Sequence, residues 1–253
     1  MSTRHLKGSH FRPVTSGESG GHRAQIAADI AAKYGPVSDL VEFFVGHVGD
    51  GVNKWHHYLP LYEHYLDRWR SRPLRFLEIG VAKGGSLEMW RSYFGPAAII
   101  YGIDVNPNCA RFNGVSGQVR IGSQADGDFL KAVVDEMGGV DVVLDDGSHK
   151  MNHIRESLSA LFPRLSLGGT YIIEDLHSAY WTEFGGGVTE PANFFNTVRE
   201  LIDDMHVWCH DKGISHSATA GQITGIHVHD SMLVLDKNIA HRPVRSKVNA
   251  LTE

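Results

Sequence analysis

From Leu74 onward the chain alternates short apolar runs with amphipathic stretches of about 10–15 residues, and few folds accept that pattern. RFLEIG (75–80), AIIYGID (98–104), QVRIG (118–122), VDVVLDD (140–146) and GGTYIIED (168–175) read as strands. Helices fall between them: one through Leu87 and Trp90, then DGDFLKAVVDEM, then one through Ile154, Leu158 and Phe162. FFNTVRELIDDM follows as a helix, and GIHVH and MLVLD, joined at Asp230-Ser231, read as a closing hairpin. Near-continuous apolar strands separated by helices predict an α/β fold, a mostly parallel sheet with helices on both faces. In such sheets ligands bind beyond the carboxyl ends of the strands. Every chemically suggestive cluster in this sequence falls at such an end.

Upstream the pattern is helical. HRAQIAADIAAKYG spaces Ile26, Ile30 and Tyr34 at helical intervals and stops at Gly35-Pro36. Val37 to Val48 reads as a second helix, broken by Gly-Asp-Gly at 49–51, and HHYLPLYEHYLDRWR as a third with Pro60 in its first turns. The expected organisation is a flexible arm over 1–20, a helical extension over 21–73 and a sheet domain over 74–253. The extension can cover a site or form a contact between copies, so a homo-oligomer, most simply a dimer, is expected.

Composition excludes several classes. A formal net charge of -5 gives no basic balance for a nucleic-acid partner. No apolar run approaches the roughly 18 residues of a membrane span. The polar first 20 residues lack the apolar segment of a secretory leader. Two cysteines, Cys109 and Cys209, in 253 residues fit a reducing compartment rather than a disulfide scaffold. A cytoplasmic protein is the expectation.

FLEIGVAKGGS (76–86) brings Glu78, Gly80, Gly84 and Ser86 to the first strand–helix turn, where glycines allow close approach of a ligand. The spacing is not the G-x-G-x-x-G that cradles a diphosphate. It suits a ligand without one, and Asp104, ending the second strand, can accept both hydroxyls of a ribose. After the third strand, Gln124 can bond an adenine edge; Asp126 can face the same ligand or cap the next helix.

LDDGSH (144–149) and IIEDLH (172–177) then close the fourth and fifth strands, placing Asp145, Asp146, Glu174 and Asp175 on one rim. So many carboxylates repel one another unless a cation compensates. Oxygen ligation selects a hard ion, Mg²⁺ or Mn²⁺, over zinc. His149, three residues after Asp146, is a candidate general base, with Asp146 beside it as a catalytic residue. His177 is a second base candidate or a pocket residue. Tyr180 and Trp181 can stack on a sugar face or pack in the core, and EFGGGVTEP (183–191) reads as a mobile loop over the site.

Taken together, KWHHYLPLYEHY, FLEIGVAKGGS, YGID, GSQAD, VVLDDGSH and LFPRLSLGGTYIIEDLHSAYW resemble the metal-dependent sugar O-methyltransferases. That family includes macrolide mycinose-pathway, rhamnosyl and methylmannose-pathway enzymes. The similarity runs from about Lys54 to Trp181. It implies a class I, Rossmann-like fold with a seven-stranded sheet that binds S-adenosylmethionine. It further implies a metal held by Asp146, Glu174 and Asp175, with His149 as base. By position, Glu78 and Gly80 would line the donor site, Asp104 would hold the ribose and Asp145 would lie close by. Lys54, Trp55 and Tyr58 would close over the donor. The acceptor implied is a small carbohydrate, of rhamnoside or mannoside type. A catechol methyltransferase, a nicotinamide-dependent oxidoreductase and a non-catalytic binding protein are the alternatives.

Overall fold

The computed structural model describes residues 19–210 and 217–248. Most of the expected N-terminal arm, residues 1–18, lies outside the described residues. Three helices come first: α1 (Ser19–Tyr34), α2 (Asp39–Gly46) and α3 (Tyr58–Leu66). The sheet domain continues as β1 (Leu74–Ile79), α4 (Gly85–Phe94), β2 (Ala98–Asp104), β3 (Gln118–Ile121), α5 (Gly127–Met137), β4 (Val140–Asp145), α6 (Met151–Leu161), β5 (Leu165–Ile173), α7 (Phe194–Met205), β6 (Ile223–His229) and β7 (Met232–Lys237). The seven strands form one sheet in the order β3-β2-β1-β4-β5-β7-β6. β1 to β5 pair in parallel, while β7 runs antiparallel to β5 and β6 antiparallel to β7. This is the class I methyltransferase architecture.

Alternation along each strand splits the core into two layers. Leu77 and Ile79 of β1, Val143 of β4 and Tyr171 and Ile173 of β5 pack under α5, α6 and α7. Phe76, Val142, Leu144 and Ile172 point the other way, toward α4 and the N-terminal helices. Successive side chains of a strand face opposite sides, and here both sides are covered, so the strands read as unbroken apolar runs. Tyr58, Leu59, Tyr62 and Leu66 of α3 are fully buried against Phe76, Trp90 and Val234. The helical extension thus shares a core with the sheet. Pro60 sits in the first turn of α3, where its missing N–H costs no helical hydrogen bond.

Cys109 is buried and Cys209 exposed, both as free thiols. Among the described residues no helix is long and apolar enough to cross a membrane.

Candidate active site

The end of β1 approaches the end of β4 so closely that only glycine fits. A Cβ on Gly80, whose φ is 98°, would lie 2.1 Å from the Asp146 carbonyl oxygen. Gly84, at φ 81°, precedes α4 and lies under the Phe112 ring. Asp104 ties this turn to β2: Oδ2 accepts from the Val81 and Ala82 N–H groups at 3.0 and 2.8 Å, and Oδ1 from Asn106 N–H at 2.8 Å. A carboxylate has about four acceptor positions, so capacity for a ligand hydroxyl remains. The α2–α3 loop crosses the same turn, with the Asp50 carbonyl and Val52 against Gly85.

Several residues expected at the donor face inward instead. Glu78 is wholly buried and accepts from Ser86 Oγ at 2.8 Å and Trp90 Nε1 at 3.1 Å, so Glu78 and Ser86 satisfy each other. Burial pushes the Glu78 carboxyl up to about 7. Gln124, expected at an adenine edge, spends both ends of its amide within the protein. Its Nε2 donates to Asp145 at 3.0 Å and its Oε1 accepts from Ser148 N–H at 2.6 Å. The reason is Asp145, a buried carboxyl pushed up to about 6 that takes its donors from Gln124 and Ser157. Asp126 has the second of its two expected roles: Oδ1 caps α5, accepting from the Asp128 and Phe129 N–H groups.

Asp145, expected on the acidic rim, turns instead into the protein toward Gln124 and Ser157. Asp146, Glu174 and Asp175 form the rim, because β4 and β5 are neighbours and Glu174 N–H bonds the Asp145 carbonyl at 2.9 Å. Two of its residues, His149 and Asp175, hold left-handed backbone at φ 56° and 54°. Non-glycine residues rarely take that conformation, and strain of this kind clusters at functional sites. His149 Nε2 stands 3.9 Å from Asp146 Oδ1 and 3.7 Å from Asp175 Oδ2. One ligand atom from each of Asp146, His149 and Asp175 lies within 4.8 Å of the others, and this carboxylate-rich set fits a small hard cation.

Glu174 is placed differently. One oxygen accepts from the Tyr62 hydroxyl and the other from Lys54 Nζ at 2.9 Å. Lys54 also reaches Asp146 Oδ2 at 2.6 Å. Burial opposes the Lys54 charge, but Asp146 and Glu174 outweigh it and hold the ammonium above its ordinary value. Asp175 Oδ1 accepts from Trp55 Nε1 at 3.0 Å and from the Tyr58 hydroxyl at 2.9 Å. Lys54, Trp55 and Tyr58, expected over the donor, are therefore partners of the rim carboxylates, a correction that follows from the α2–α3 loop and the start of α3 lying over the ends of β4 and β5. Tyr62 escaped the sequence reading altogether. Its signal was present: Tyr58 and Tyr62 are four residues apart, on one helix face.

Aromatic side chains wall the rim. The His177 ring lies 4.8 Å from that of Trp181 and 5.7 Å from that of Trp55, and Phe184 stands 6.3 Å from His149. Burial keeps His177 below the usual imidazole range. Tyr180, more than half exposed, packs beside Phe195 of α7. The segment 183–191 is pinned by Asn193, whose Nδ2 donates to the Ala179 and Gly187 carbonyls at 2.9 and 2.8 Å. A cavity of about 880 Å³ opens beside Asp146 and Asp175, between the α2–α3 loop and Ile26 and Asp29 of α1.

Comparison with known proteins agrees with this fold. Residues 77–176 match the family model described as a methyltransferase domain. The chain is 38% identical over 215 residues to the 8-demethyl-8-(2-methoxy-alpha-L-rhamnosyl)-tetracenomycin-C 3'-O-methyltransferase of Streptomyces olivaceus, covering 79% of this chain and 54% of the relative. It is 34% identical over 195 residues to the mycinamicin VI 2''-O-methyltransferase of Micromonospora griseorubida, covering 72% and 48%. Among solved structures, the MycE methyltransferase of the mycinamycin biosynthetic pathway, in complex with Mg and SAH, superposes with a TM-score of 0.71 at 30% identity. That match covers 79% of this chain and 54% of the MycE chain. The chain thus spans about half the length of the relatives it matches. The chain carries the class I methyltransferase fold, and in sequence and structure it is similar to the sugar O-methyltransferases.

Proposed function

We propose that this chain transfers the methyl group of S-adenosylmethionine to a sugar hydroxyl of a small-molecule glycoside, of rhamnoside or mannoside type, with a divalent metal at the acidic rim. The observation that carries the reading is His149. Its Nε2 stands between Asp146 Oδ1 and Asp175 Oδ2, at the strand ends where a ligand of this sheet binds. Relatives at 32–38% identity are named for methylation of sugar hydroxyls, which supports the acceptor class.

Asp146 and Asp175 would hold the ion, Mg²⁺ or Mn²⁺, with Glu174 as the third carboxylate. When bound, a divalent ion there supplies positive charge that lowers the pKa of a neighbouring hydroxyl. His149 takes the hydroxyl proton at Nε2, and the nearby Asp146 and Asp175 carboxylates stabilise the charge it gains. Gly80 and Gly84 admit the donor against the turn backbone, and Asp104 accepts from its ribose. Trp55, His177 and Trp181 exclude water and offer flat faces to the apolar side of a pyranose.

A catechol offers a vicinal diol to the same rim, so parallel assays with a rhamnoside, a mannoside and a catechol decide the acceptor. Transfer to a glycoside is expected. Transfer to the catechol alone would overturn the sugar reading and leave the methyltransferase standing.

A further inference from the structure

The acidic rim carries a cation of the protein's own. Lys54 Nζ sits between Asp146 Oδ2 at 2.6 Å and Glu174 Oε2 at 2.9 Å, with its side chain only 2% exposed. The other Glu174 oxygen is taken by the Tyr62 hydroxyl. Both Glu174 oxygens are therefore engaged away from His149, whereas Asp146 Oδ1 and Asp175 Oδ2 both face its Nε2. A small divalent ion bonds carboxylate oxygens at about 2.1 Å. An ion bridging Asp146 and Glu174 at that distance would stand against the ammonium, and like charges repel strongly where water is excluded.

We propose that Lys54 is the resident counter-ion of the metal-free rim, and that the divalent ion and the Lys54 ammonium occupy it in exchange. Glu174 becomes a ligand only when Lys54 withdraws. This rests on the reading that the rim takes a divalent ion. The physical gain is that three carboxylates can be brought together by folding before any ion arrives, since unpaired buried charges are costly. The consequence is weakened ion binding, because ligand charge sets affinity for hard cations and the ammonium cancels part of that charge.

Calorimetric titration of Mn²⁺ into the full chain and into Lys54→Met tests the exchange without any turnover. Lys54→Met should bind Mn²⁺ about tenfold more tightly and show a larger Mn²⁺-induced rise in Tm than the wild type, because its rim lacks a competing cation. Equal or weaker binding by Lys54→Met would overturn the exchange, placing Lys54 alongside the ion, with the metal reading intact. Absence of Mn²⁺ binding to both proteins would overturn the metal reading together with the exchange. The wild type gives a second measurement should the variant not fold. Acetylation of Lys54 by an amine-reactive reagent, followed by mass spectrometry, should rise when Mn²⁺ is added. Protection that persists at saturating Mn²⁺ would overturn the proposal.

Discussion

His149 reaches the site through a left-handed turn that few residues accept, and in the proposed reaction it would be the proton acceptor for a hydroxyl that is a poor nucleophile at neutral pH. His149→Ala should lower kcat by about 10²–10⁴-fold, the usual worth of a general base. Affinity for S-adenosylhomocysteine should stay near that of the wild type. Steady-state kinetics beside calorimetry separate the two, and a donor affinity that falls as steeply as turnover would count against the assignment. Glu78 makes a different prediction. Its carboxyl is pushed from 4.5 up to about 7, so the folded chain holds this proton more tightly than the unfolded one. The stability it contributes is complete below the unfolded value and is lost as pH rises through about 7. A shift of that size corresponds to about 3 kcal/mol. Glu78→Gln removes the titration, so the wild type should lose stability relative to the variant between about pH 5 and about pH 8. Denaturant unfolding at both pH values measures it, and a constant difference would contradict the burial argument.

At the level of elements, the sequence was most legible where physics acts locally. Parallel strands buried on both faces read as apolar runs, and each of β1 to β5 lies where such a run occurs. Boundaries moved where a cap or an irregularity decided them. α2 begins at Asp39, not Val37, because the Ser38 hydroxyl accepts from Val41 N–H. β5 starts at Leu165, before the expected Gly168, beside an irregularity in its pairing with β4. The carboxylates of the rim were legible because they directly follow the ends of β4 and β5, but their partners were not. Lys54, Trp55, Tyr58 and Tyr62 come from 92 to 120 residues upstream of the acids they bond, a relation set by tertiary packing alone. Gln124 misled for the same reason, since its buried partner Asp145 is not a sequence neighbour. Asp126 had two roles open in the sequence and fills the helix-capping one. Asp126→Ala should cost about 1 kcal/mol of stability and leave S-adenosylhomocysteine affinity unchanged, as thermal melts and calorimetry would show. A fall in donor affinity would instead place Asp126 at the ligand.

For the whole molecule, the N-terminal helices and the sheet stand or fall together. Tyr58, Leu59, Tyr62 and Leu66 are buried against one face of the sheet, and Tyr62 and Lys54 complete the Glu174 environment. A chain truncated to begin at Leu74 would expose that face and leave buried acids without donors. It should fail to give a cooperative unfolding transition, by circular dichroism and calorimetry. A cooperatively folded truncation would show the extension to be an appendage. The chain aligns with relatives about one and a half times its length over roughly half of theirs. Methyl transfer from labelled S-adenosylmethionine to a rhamnosyl glycoside, assayed with Mg²⁺, with EDTA and with Mg²⁺ restored, tests function, donor and metal at once. The expected result is transfer that EDTA abolishes and Mg²⁺ recovers; transfer indifferent to EDTA would contradict the role given to the rim.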